Sequence, residues 1–334
     1  MRAVPFYSHG PAEVLEYQED FANPVAERGQ TIVDVEYCGV NHLDIWTRQG
    51  ISGKKIRLPH VCGCDIVGRS KSRGWVMVYP GISCGICNRC KAGRENLCKQ
   101  FAILGGMSDH DGGYAEQVAV PSRNLISLPA SLRPELAATL SVSYLTAWNM
   151  LTTNGAGRGK TVLAYGAASG IGMATIQLAK ALGATVMTTV SSGDKRNFAE
   201  NLGADFIIDR YAGSIVEEAA RFSKGGVDIV VDHVGAATWQ ASVSALKPGG
   251  RMAVCGMTSG NEATMPVRTF YTKQIVMTGA LLGTRQQLKD VLNFVVMKKI
   301  RPAIDSVVPL RDASQAHRKM EQGRHMGKIL IKCR

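Results

Sequence analysis

The 334-residue chain carries 39 Lys and Arg against 27 Asp and Glu, a net charge of +12, with 45% hydrophobic residues and 36 glycines. That length predicts about two domains, each able to bury its own core, and the scattered basic residues argue against a nucleic-acid binder while favouring a small, phosphate-rich partner. No apolar run approaches the ~20 residues that span a bilayer, and the start Met1-Arg-Ala-Val-Pro-Phe6 lacks a secretory signal, so a cytoplasmic protein with no membrane partner is expected.

The first 130 or so positions read as β-rich, with alternating segments such as Thr31–Tyr37 and Gly74–Tyr79 broken by Gly and Pro. Within them the run Cys84-Gly-Ile-Cys87-Asn-Arg-Cys90-Lys-Ala-Gly-Arg-Glu-Asn-Leu-Cys98 has the spacing of a closed zinc site. Two-residue gaps let a tight loop present three sulfurs to one point, and Cys98 closes the shell. With all four positions filled, such an ion braces a loop of about 80–100 and catalyses nothing.

Beyond Leu136 strand and helix alternate, the pattern of a doubly wound parallel sheet. Strands are expected at Thr161–Tyr165, Thr185–Val190, Phe206–Ile208, Asp228–Asp232, Arg251–Cys255 and Val276–Gly279, with helices through Met173–Leu182 and Arg285–Met297. Six strands are enough for two mononucleotide-binding halves. The first of them runs into Gly166-Ala-Ala-Ser169-Gly170-Ile171-Gly172, which opens directly into the helix. Glycines there permit the turn and the close approach of backbone to a pyrophosphate, whose charge the helix N-terminus stabilises.

At the end of the next strand, where an acid would bind the ribose 2′-hydroxyl of NAD, stands Ser191, followed by Ser192, Lys195 and Arg196. These groups suit a 2′-phosphate, so NADPH is expected over NADH, with Asp194 as the opposing feature. Arg210, after the third strand, is a candidate for adenine or phosphate.

Taken together, the four-cysteine lobe, Gly112-Gly-Tyr-Ala-Glu116, Leu145-Thr-Ala-Trp148, the glycine loop and Asp232-His-Val-Gly235 make the chain resemble the medium-chain dehydrogenase/reductase superfamily, in its zinc alcohol dehydrogenase and quinone oxidoreductase branches. The resemblance implies an α/β protein: a GroES-like β-rich catalytic domain formed by 1–143 and 282–334, and a Rossmann domain over 144–281. It also implies nicotinamide held between the two, with Thr146, Val234, Gly256 and Leu281 near the cofactor.

Zinc members of that family carry a Cys where this chain has Asn41, a His-Glu pair where it has Cys64 and Asp65, a Cys or Asp near Val142, and a proton-relaying hydroxyl where it has Leu43. Only Cys64, with Asp65 beside it, could still ligate, whereas a catalytic zinc takes three protein ligands. A second, catalytic zinc is therefore not expected, although Cys38, Cys62, His42 and His60 could rebuild a nonstandard site. Asn41 is what quinone-oxidoreductase-like members carry, and hydride transfer to a conjugated alkene or quinone needs only hydrogen-bond donors for the oxyanion. Asn41 and His42 are the candidate donors, and Tyr7, Trp46, Tyr79 and Trp148 candidate pocket walls.

The expected function is thus an NADPH-dependent, metal-independent reductase of quinones, enones or bulky ketones, with one structural zinc. Alternatives are an alcohol dehydrogenase with a degenerate or rebuilt zinc site, and a non-catalytic NADPH-binding regulatory or RNA-binding protein. By resemblance the chain forms a homodimer or homotetramer.

Overall fold

The computed structural model describes residues 1–334. The chain divides into two compact units, one of residues 1–142 with 284–334 and the other of residues 143–283. No helix is long and apolar enough to cross a membrane.

The first unit is built on a mostly antiparallel sheet. Strand β1 (Gln30–Gly39) leads into helix α1 (His42–Gln49), and β2 (Asp65–Ser70) and β3 (Gly74–Val78) follow as a hairpin. Next come β4 (Gln117–Pro121) and β5 (Leu125–Ser127). Ten residues long, β1 pairs along one edge with β2 and along the other with β4. The alternation Val33, Val35 inward sets this register, because both side chains are fully buried and a one-residue slip would expose them. They pack with Val4, Phe6, Ile66, Val76, Val78, Tyr114 and Ile329 in one apolar core.

Ser143–Gly283 forms a six-stranded, all-parallel sheet. After α2 (Leu145–Thr153) come β6 (Thr161–Ala164), α3 (Gly170–Ala181), β7 (Thr185–Val190), α4 (Gly193–Asn201) and β8 (Phe206–Asp209). The second half supplies β9 (Val227–Asp232), β10 (Leu246–Val254) and β11 (Val276–Gly279). The spatial order β8-β7-β6-β9-β10-β11 is that of a dinucleotide-binding sheet, reversing direction between β6 and β9. Every residue of β9 is buried, as expected for a central parallel strand covered on both faces.

The chain then returns to the first unit through α5 (Arg285–Met297), β12 (Ile304–Pro309), α6 (Ala313–Glu321) and β13 (Lys328–Lys332). Thr284 caps α5 by accepting from Gln287 N–H, and β13 pairs antiparallel with β1, placing Ile331 opposite Cys38. The last residues of the chain therefore lie against the start of α1. That proximity decides the chemistry of the site.

Candidate active site

Cys84, Cys87, Cys90 and Cys98 converge in the first unit, all as free thiols. Adjacent sulfurs are 3.6–3.8 Å apart: Cys84 to Cys90 3.8 Å, Cys87 to Cys90 3.6 Å, Cys87 to Cys98 3.8 Å and Cys98 to Cys84 3.6 Å. Four sulfurs placed tetrahedrally ~2.3 Å from one ion would be about 3.8 Å apart, whereas a disulfide needs ~2.05 Å. The residues fit a four-coordinate zinc. Backbone N–H groups of Ile86 and Cys87 draw the Cys84 thiol down to about 6, toward the thiolate a metal requires.

The turn between β1 and α1 carries Asn41, His42 and Asp44, and the start of β2 carries Cys64 and Asp65. Asp65 is fully buried and makes four hydrogen bonds. Its Oδ1 accepts from Ser141 Oγ and from Val142 N–H, each at 2.7 Å, and its Oδ2 from Asn41 Nδ2 at 3.0 Å and Lys328 Nζ at 2.8 Å. Lys328, on β13, spends its other two donors on Val40 O at 2.8 Å and Asn41 Oδ1 at 2.7 Å. Its ammonium is thus fully satisfied, the condition for burying a charge.

This geometry corrects three expectations. Both hydrogens of the Asn41 amide are used inside the protein, on Asp65 and on Gly39 O at 3.2 Å, so Asn41 braces a buried ion pair rather than offering a donor to substrate. Asp65 is the partner of Lys328. Cys64 is fully buried, its thiol directed at Asp44 Oδ1 at 3.4 Å and pushed well up by burial, so as placed here it is a protonated donor to Asp44. Nor do Cys38, Cys62, His42 and His60 rebuild a metal site: the only His, Cys, Asp or Glu side chains with three or more ligand atoms within 4.8 Å of one another are the four lobe cysteines. Cys62 instead points at Asp44 O, 3.6 Å away, and His60 Nδ1 lies 3.6 Å from Asp111.

Of the expected catalytic groups, His42 keeps an uncommitted side chain. It is half-buried at the start of α1, 6.2 Å from the Trp46 ring, and makes no hydrogen bond within the protein. Burial, and then the Lys328 charge, lower its pKa, so the ring is neutral near neutral pH and has one N–H to donate. Tyr79, expected as a wall, is a core side chain, and Tyr7 is exposed with its hydroxyl against Gln18.

In the second unit, residues expected near a nucleotide follow the carboxyl ends of five parallel strands: Gly166 after β6, Ser191 after β7, Val234 after β9, Gly256 after β10 and Leu281 after β11. The topology brings them to one edge of the sheet, at the switch point where such sheets bind ligands. Gly166 has φ +59°, and a Cβ on Gly172 would lie 2.1 Å from Gly166 O, so strand and helix meet too closely for any other residue. Ser169 caps α3 by accepting from Gly172 N–H at 2.9 Å and contacts His233 Nε2 at 3.0 Å. Gly170 and Ile171 form the first turn of α3, whose N–H groups point toward the loop. This turn fits a pyrophosphate. A Cβ on Gly256 would strike His233 O at 2.4 Å, and Thr146 is buried in α2.

At the end of β7, Lys195 Nζ donates to Ser191 Oγ at 3.4 Å, and Ser192 is the N-terminal flank of α4. Arg210, exposed after β8, lies over the ring of the neighbouring Tyr211 at 4.6 Å and bonds its hydroxyl.

Fold and site together define an oxidoreductase with separate nucleotide and catalytic units, and sequence comparison agrees. The GroES-like domain model of alcohol dehydrogenases matches residues 27–130 and the zinc-binding dehydrogenase model residues 170–297. An alcohol dehydrogenase of Geobacillus stearothermophilus is 30% identical, the match covering 96% of each chain. A quinone oxidoreductase of Rattus norvegicus is 28% identical over 99% of this chain and 97% of its own. Among solved structures, an NAD-dependent alcohol dehydrogenase superposes with TM-score 0.93 at 37% identity over 99% of both chains. A cobalt- and zinc-bound alcohol dehydrogenase from Pyrobaculum aerophilum gives 0.87 at 30% identity, again over 99% of both. The chain belongs to the medium-chain dehydrogenase/reductase superfamily and is an oxidoreductase of that family. The non-catalytic alternative gains no support from these relatives.

Sequence reasoning missed Lys328, Ser141, Arg48 and His317. No local pattern marks them, since each acts on a residue far away in the chain.

Proposed function

We propose that the protein is an NADPH-dependent reductase of activated carbonyl compounds, quinones or enones above all, that works without a catalytic metal and carries one zinc in its four-cysteine lobe. The observation that carries this reading is the Asn41–Asp65–Lys328 network. A catalytic zinc needs three ligands, and here the side chains at the corresponding place are an amide, a buried thiol and a carboxylate already neutralised by a lysine. Withdrawing Asp65 to a metal would strand the buried Lys328 charge.

When bound, the reduced nicotinamide supplies a hydride to the substrate. The chain's part is to hold nucleotide and substrate and to stabilise the oxyanion. The α3 N-terminus takes the pyrophosphate, while Ser191, Ser192, Lys195 and Arg196 offer hydrogen bonds and charge to a 2′-phosphate. His42 donates its N–H to the developing oxyanion, and Asn41, Asp44 and Lys328 fix the turn that presents it. Two relatives are named as NAD-dependent alcohol dehydrogenases; Ser191 in place of an acid favours the phosphorylated nucleotide here.

A second reading is a zinc alcohol dehydrogenase with a rebuilt site, favoured by the metal-bound Pyrobaculum relative. The test is NADPH oxidation across a panel of quinones, enones and ketones before and after a chelator that leaves the lobe metal in place. Retained turnover on quinones or enones supports the first reading. Turnover abolished by the chelator, with alcohols as the better substrates, supports the second. Assembly as a homodimer or homotetramer completes the proposal, with sedimentation as its measure.

A further inference from the structure

Asp44, at the base of the β1–α1 turn, is fully buried and accepts four hydrogen bonds. Its Oδ2 receives Asn41 N–H at 2.8 Å and Tyr114 Oη at 3.1 Å, and its Oδ1 faces Gly63 N–H at 3.2 Å and Cys64 Sγ at 3.4 Å. Behind Tyr114 the contacts continue. Tyr114 Oη lies 3.0 Å from His317 Nε2, His317 Nδ1 lies 3.5 Å from Arg48 Nη1, and Arg48 Nη2 bonds Glu321. Arg48, Tyr114 and His317 are each 0% exposed, and Glu321 is the only member that reaches solvent.

Tyrosine and neutral histidine can each donate or accept, so distances alone leave the direction of this chain open. Arg48 closes the question. A guanidinium donates only, so His317 Nδ1 must be the accepting nitrogen and Nε2 must carry the proton. Nε2–H then donates to Tyr114 Oη, whose own hydrogen goes to Asp44. His317 is neutral, since burial and then the Arg48 charge hold its pKa down to about 3. Burial pushes the Asp44 carboxyl up to about 7 against the opposing pull of Asn41 N–H and the Lys328 charge, and its other titratable neighbours, Cys38, Cys62 and Asp65, do not bond its carboxyl oxygens.

We infer that Arg48 is a remote positioning residue: held by Glu321, it orients the series Arg48 → His317 → Tyr114 → Asp44, so that Tyr114 donates to Asp44 Oδ2 and holds in place the carboxyl that receives Asn41 N–H and Gly63 N–H. The series is not a proton conduit. Arginine does not release a proton in proteins, so nothing passes from Glu321 to the interior.

The decisive test is nitrogen NMR on the full-length, histidine-labelled protein with NADPH bound, the His317 signals being assigned by their loss in His317→Gln. The expected result is a protonated Nε2 and a bare Nδ1, unchanged from about pH 8 to about pH 5, where an ordinary histidine would titrate. A protonated Nδ1, or an imidazolium in that range, overturns the inference. Arg48→Gln, whose amide can also accept, should give a mixture of tautomers. A kinetic arm rests on the reductase reading. Tyr114→Phe and Arg48→Gln should each lower kcat roughly tenfold with little change in KM for NADPH, and the double variant should lose no more than either alone. Additive losses would overturn the linkage, and the tautomer result stands whatever substrate the enzyme takes.

Discussion

Replacing Lys328 by methionine removes the cation from a fully buried carboxylate while nearly preserving the shape of the side chain. Asp65 retains Ser141 Oγ, Val142 N–H and Asn41 Nδ2, but loses the only positive charge that bonds it, and Val40 O and Asn41 Oδ1 each lose their lysine donor. Breaking a buried pair at one end costs about 3–5 kcal/mol, most of it the penalty for the stranded charge. Urea unfolding should therefore show Lys328→Met destabilised by that amount. Combining it with Asp65→Asn removes the stranded charge and should recover most of the loss, leaving a deficit of about 1–2 kcal/mol for unmatched polar groups. A single variant within about 1 kcal/mol of the parent, or a double variant as unstable as the single, would refute the buried pair.

Other outcomes follow from the same geometry. Cys90→Ser should release the lobe zinc and lower the thermal midpoint, as read by atomic emission and calorimetry; full metal retention would count against the tetrahedral assignment. Ser191→Asp places a carboxylate where a 2′-phosphate is expected, so kcat/KM for NADPH should fall at least about tenfold relative to NADH, and an unchanged ratio would remove Ser191 from nucleotide selection. Asp228 bears on acid stability. Burial alone would raise its pKa, but Lys247, Thr161 N–H at 2.9 Å and Lys160 at 3.1 Å hold it below the ordinary range. A depressed folded-state pKa contributes stability that is present above the unfolded value of about 3.9 and is lost as pH falls through the folded one. Asp228→Asn should therefore lose stability at neutral pH while flattening the acid limb of the denaturation profile below about pH 4.

The sequence discloses what is local or repetitive. The four-cysteine lobe shows in its spacing, and the parallel sheet shows in the alternation of short strands with helices and in the Gly166–Gly172 loop that opens into one. Arrangements between distant segments stay hidden. Asp65 and Lys328 are 263 residues apart, and Lys328 sits in a C-terminal strand whose alternation reads as polar-out. Asn41 looks like a free donor until both its amide hydrogens are seen spent on Asp65 and Gly39 O, and Cys64 looks like a ligand until Asp44 is seen beside it. Arg48 and His317 resemble ordinary surface positions of two amphipathic helices, yet both are buried because α1 and α6 turn these faces inward around Tyr114. In each case the missing information is which far segment lies opposite.

The central claim is that the place of a catalytic metal has been taken over by a lysine–carboxylate pair. Anomalous diffraction at the zinc absorption edge, on crystals grown with NADPH, tests it most directly. The account predicts one peak per chain, centred among Cys84, Cys87, Cys90 and Cys98. A second, fully occupied peak bonded to Cys64, with Asp65 turned away from Lys328, would contradict it.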